Sequence, residues 1–204
     1  MGCAAPHSMH WQALAARSDE CILSHPGVTR HPSQAGFVRA FLGQEYHLDS
    51  QGRQVLSLAG PGDRPPTEAF AILLLGSLLA PPLPAPLGEW ISEKQFPGGV
   101  TFFQGPHALP TKKLAGRFGR DPEGFAQRGR ELGGEVFDAG DRAVALLPLA
   151  NLRLGLVLWL ADEEFEARVR VLFDRSLAGI WSLDLVYLLA CEVCDRFLHE
   201  GGVP

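Results

Sequence analysis

Cysteine is scarce in this chain, with four residues in 204, at Cys3, Cys21, Cys191 and Cys194. So few, so scattered, they exclude a disulfide scaffold, and a reducing, cytoplasmic setting is the expectation. Long apolar runs are lacking as well. The longest, residues 70–80, is too short to span a bilayer and meets Pro81, Pro82, Pro84 and Pro86, which stop a helix. No membrane role is expected. Residues 1–11 have neither the basic nor the apolar region of a secretory signal. Pro6 stands where a myristoylation site needs Ser or Thr. Basic charge is in deficit: 18 Lys and Arg stand against 23 Asp and Glu, a formal net charge of -5. That balance argues against general nucleic-acid binding. The glycine-rich nucleotide loops, the G-x-S-x-G elbow and the H-E-x-x-H zinc motif are all missing, so those reaction classes lose their usual support.

What is there describes a globular protein, 46% hydrophobic and 20% charged. The pattern predicts a short helix near residues 11–17, a loop over 24–35, and paired strands over 37–58 turning at Ser50-Gln51-Gly52. Thr67 caps a helix that is apolar almost all round and ends near Leu79, a pattern that places it in the core. The proline-rich segment 81–86 reads as a rigid connector inside one fold. Two short helices follow, near 111–118 and 122–132, the second opened by Asp121-Pro122 and closed by Gly133-Gly134. Strands at 143–147, 152–160 and 168–174 form an antiparallel meander, and Ser182 caps a last helix over about 183–198. The expectation is a single α+β domain over residues 1–204, its first ten or so residues mobile. A mixed or antiparallel sheet, including the C-terminal meander, packs against several helices with a closing C-terminal helix.

The meander also carries a family likeness. Leu147-Pro148, Trp159, Asp162-Glu163-Glu164-Phe165 and Leu172-Phe173-Asp174 are its densest part. Phe41-Leu42-Gly43, Tyr46, residues 90–99 and Leu132-Gly133-Gly134 extend it across most of residues 10–198. This pattern resembles domain of unknown function 3786. The resemblance implies an anaerobic bacterial or archaeal setting. Because some relatives carry a four-cysteine iron–sulfur segment, it also implies work near a redox or corrinoid system. No four-cysteine segment stands in this sequence and no catalytic residues carry over, so the cofactor is unknown.

Four constellations carry chemistry-bearing side chains. Asp162, Glu163 and Glu164 stand between two predicted strands, with Asp174 at the end of the second. Clustered carboxylates can hold a hard cation or act as acid and base, and equally can keep a strand connection solvated, with Phe165 anchoring the turn to the core. Cys191 and Cys194 form a C-x-x-C, the spacing of a redox pair or half a metal site. They fall late in a helix, where its dipole raises a thiol pKa, and near its apolar face, which favours a core role. Cys3, His7, His10, Cys21, His25 and His31 suit zinc or iron by type, without a recognisable spacing. Lys112, Lys113, Arg117, Arg120, Arg128 and Arg130 outnumber Asp121, Glu123 and Glu131 locally, a stretch that suits an anionic ligand or an acidic partner.

These observations lead to a soluble accessory or ligand-binding protein with a small-molecule ligand or a protein partner. Two rivals stand beside it. One is a small enzyme using the acidic cluster 162–174, with or without a metal. The other is an interaction scaffold docking through the basic helices.

Overall fold

The computed structural model describes residues 8–60 and 65–199. Two antiparallel sheets share a hydrophobic core with the helices. Helices α1 (Ser8–Ala15) and α2 (Asp19–Leu23) precede a four-stranded meander. Its strands are β1 (Val28–Arg30), β2 (Gly36–Phe41), β3 (Gln44–Asp49) and β4 (Gln54–Ser57), paired in chain order. Between β2 and β3 the turn is Leu42-Gly43, with φ of 48° and 79°, the double positive φ that matches a two-residue hairpin to strand twist. Leu42 tolerates this conformation because its side chain is buried and its N–H donates to Pro148 O at 3.0 Å, joining the first sheet to the second.

Helix α3 (Glu68–Leu79) begins where Thr67 accepts the Phe70 N–H at 3.1 Å. Its residues are buried on nearly every side, and it lies against α1 and α7 (Leu183–Leu198). The proline-rich connector then runs extended to β5 (Trp90–Ser92). Short helix α4 (Gly99–Phe102) leads to α5 (Thr111–Phe118) and α6 (Pro122–Glu131), the latter capped by Asp121 accepting the Gly124 N–H at 2.8 Å. Strands β6 (Glu135–Phe137), β7 (Arg142–Leu149), β8 (Leu152–Trp159) and β9 (Arg168–Asp174) complete the second sheet, ordered β5-β9-β8-β7-β6. The expected meander β7-β8-β9 is therefore the centre of a five-stranded sheet whose two edge strands are three residues each. Alternation along β8 and β9 turns Leu154, Leu156, Leu158, Val169, Val171 and Phe173 inward, on the sheet where α5 packs against β9 and α6 against β7. No helix among the described residues is long and apolar enough to cross a membrane.

Two arginines meet the first sheet differently. Arg196 of α7 donates to Glu192 at 2.7 Å and to Gln44 at 3.1 Å, with its guanidinium over the Phe70 ring at 5.0 Å. Arg39 of β2 alternates with Phe37 and Phe41 and is 3% exposed. Its Nε and one terminal nitrogen have no hydrogen-bond partner, and burial lowers its pKa to about 10. An uncompensated buried cation weakens the folded state. Arg39→Met keeps the stem and removes the charge, so it is expected to stabilise the protein by about 1–3 kcal/mol. Urea unfolding is the check; a midpoint at or below wild type would count against this account of Arg39.

Candidate functional site

Strand β5 pairs only with residues 172–174 of β9, so residues 168–171 have β8 as their one strand neighbour among the described residues. Beside that open edge lies a groove of about 850 Å³, walled by α5 on one side and residues 166–169 on the other. Lys112, Arg117, Arg120 and Arg168 bring four cations to it against the two carboxylates of Asp121 and Glu166. The α5 wall is low, made of Ala115, Gly116 and Gly119. Gly119 sits where a Cβ would stand 2.3 Å from the Ala167 Cβ, so only glycine lets the end of α5 approach this closely. The Ala161 N–H donates to Gly119 O at 3.3 Å and closes that end of the groove. Arg168 is held with its guanidinium 4.5 Å from the Trp159 ring centre, a cation–π geometry.

The acidic turn adjoins this groove. Asp162 Oδ1 accepts the N–H groups of Glu164 at 2.9 Å and Phe165 at 2.7 Å, and the Asp162 N–H donates to Phe165 O at 3.0 Å. Asp162 thus caps its own turn. Glu163 and Glu164 are exposed. Phe165 is 68% exposed, so the expected aromatic anchor of the turn is in fact its outermost apolar side chain. The turn is instead held by the Asp162 hydrogen bonds.

Asp174 lies apart from these three acids. It ends β9 while they precede its start, a separation of roughly 20 Å along a strand of this length. Its carboxylate accepts the N–H groups of Leu87 at 2.9 Å, Gly88 at 2.7 Å and Ser176 at 2.9 Å. Burial alone would raise its pKa, but these bonds outweigh burial and hold it below the ordinary carboxylate value. The four acids grouped by sequence therefore divide into a surface turn and a buried pin for the connector. Strand direction separates them, since both ends of β9 carry an acid but only one end meets the β8–β9 turn.

The remaining constellations disperse too. Cys194 is fully buried, and burial pushes its thiol far up, with Cys191 and Asp195 adding to the effect. Cys191 is half-buried; burial raises its thiol, partly offset by the Tyr187 hydroxyl, and Glu192 raises it further. Both shifts run opposite to what thiolate chemistry needs. Cys3 and His7 lie outside the described residues. Buried His25 is engaged with three backbone carbonyls, of Cys21, Ile22 and Ala80, at 2.9–3.2 Å. Among the described residues no three His, Cys, Asp or Glu side chains group as metal ligands would. The basic stretch splits three ways. Lys112, Arg117 and Arg120 line the groove, and Lys113 faces a smaller cleft beside Cys191. Arg128 donates to the carbonyls of Arg196, Phe197 and His199, capping the end of α7.

Arg168 and Glu166 join the groove without having been singled out by sequence. The available signal was the alternation of Arg168 and Arg170 with Val169 and Val171, which marks two arginines on one strand face but not their neighbours. The family model for a domain of unknown function (DUF3786) matches residues 23–196. No curated protein and no solved structure matches the chain.

Proposed function

The chain belongs to the family of domain of unknown function 3786, and we propose that it is a ligand-binding accessory protein whose groove between α5 and β9 takes an anionic ligand. The observation that supports this reading is the convergence of Lys112, Arg117, Arg120 and Arg168 on one groove of about 850 Å³, in a chain whose net charge is -5. A cationic concavity on an acidic protein focuses its field on anions. An acid–base reading of the carboxylates has less to stand on, because Asp162 is spent on its turn and Asp174 on the connector.

Tripolyphosphate serves as a probe polyanion. Calorimetric titration is expected to show binding that weakens as salt rises from about 50 to 300 mM. A Lys112→Glu, Arg120→Glu double variant is expected to lose at least tenfold in affinity with unchanged circular dichroism. Affinity indifferent to this variant would sink the groove as the site. Service to a redox or corrinoid system is the part of the proposal that rests on family resemblance. Anaerobic purification followed by an absorbance spectrum and metal analysis tests it, and a colourless, metal-free protein would remove that link.

A further inference from the structure

We infer that the occupant of the groove is an extended acidic segment of a partner protein, added as a strand to residues 168–171 of β9. This rests on the anion-groove reading and specifies its ligand. The backbone supplies the first argument. In an antiparallel pair, every second residue turns its N–H and C=O away from its neighbour. Along residues 172–174 those outward groups meet β5; along 168–171 no strand does so among the described residues. The chain leaves the sheet at Ser92, opposite Leu172, into a 3₁₀ turn over Glu93–Gln95, so β5 pairs with no residue before Leu172, and Arg168 and Val169 of the stretch it leaves line the groove. An open edge of this kind is a template for an incoming strand.

The side chains choose the partner. Arg168 and Arg170 share one face of the edge, both stacked on Trp159, at 4.5 and 5.7 Å. Charged edges of this kind repel a second copy of the same edge, which argues against self-pairing. An acidic strand meets the opposite situation. Its alternate side chains point one way toward Arg168 and Arg170, and its edge runs past Lys112, Arg117 and Arg120. Ala115 and Gly116 keep the helix wall low, and a Cβ at Gly116 would meet nothing within 4 Å, which leaves space for a backbone beside the edge. Glu166 and the 162–164 turn stand at the Gly119 end and close the groove to further acids, which limits the docked stretch to a few residues.

The test uses an acetylated, amidated Glu-Val-Glu-Val-Glu-Val hexapeptide, its analogue N-methylated at every residue, and tripolyphosphate. The parent peptide is expected to bind, to slow hydrogen exchange of amides within residues 168–171, and to bind at least tenfold tighter than the methylated analogue. Peptide binding without that protection, or equal affinity for the methylated analogue, overturns strand addition. Tripolyphosphate binding with no peptide binding also overturns it while leaving the anion groove in place. Binding by none of the three probes removes both readings.

Discussion

Asp174→Ala is expected to cost about 3–5 kcal/mol of stability, because three backbone donors lose a charged acceptor in a place water reaches poorly. Asp174 is 2% exposed and accepts from Leu87, Gly88 and Ser176 at 2.7–2.9 Å. Each such bond to a charged group contributes about 1.5–3 kcal/mol, and the sum is reduced by relaxation of the connector. Asp174→Asn keeps the shape and an acceptor oxygen, so roughly half the loss is expected. Urea unfolding separates the three proteins by midpoint. Wild-type stability in the alanine variant, with lost ligand binding, would instead return Asp174 to a functional site.

The same carboxylate makes a pH prediction with a definite sign. Its folded pKa lies below the ordinary value, so protons bind the unfolded chain more readily. Its stabilisation is therefore complete above the unfolded carboxylate value of about 4 and is lost as pH falls through the lower folded value. Wild type should lose stability steeply in that acid window, and Asp174→Asn less steeply. Equal slopes would mean that folding leaves this carboxylate's proton affinity unchanged.

Asp174 also shows where sequence reading stops. Local signals transferred well. Thr67, Asp121-Pro122 and Ser182 cap the helices they were expected to cap, because a cap depends on residues three positions apart. A near-continuous apolar run located β8, and period-two alternation located β9. Strands β5 and β6 escaped, since three residues are too few to show a period and β5 pairs with a strand some 80 residues later. The groove inherits that difficulty. Lys112, Arg117 and Arg120 were legible as a cationic stretch, but Arg168 joins them only through the packing of α5 against β9, which no local pattern announces. Arg39 was within reach: it occupies an inward position between Phe37 and Phe41, where alternation alone places a charge in the core.

Phe125→Ala is the second large effect, expected at about 3–5 kcal/mol, the usual loss for deleting a buried aromatic ring. Phe125 of α6 is fully buried, with ring centres 5.7 Å from Phe118 of α5 and 4.9 Å from Phe197 of α7, which are themselves 5.5 Å apart. This triangle ties the groove wall to the core. Helix α5 has eight residues, too few to persist on its own, and its buried face is Leu114, Ala115 and Phe118. Removing Phe125 leaves Phe118 without one of its two ring partners, so the wall loosens as the core weakens. For a chain of this size the loss corresponds to a fall of roughly 10 °C in Tm. Phe125→Leu fills most of the space and should lose a smaller part of that stability. Tripolyphosphate raises Tm by preferring the folded state, by an amount set by its affinity. That increment should be preserved in Phe125→Leu and reduced in Phe125→Ala, where α5 must be reordered on binding. An unchanged Tm in Phe125→Ala would show that the triangle does not bear on stability; an undiminished increment would show that α5 keeps its place without it.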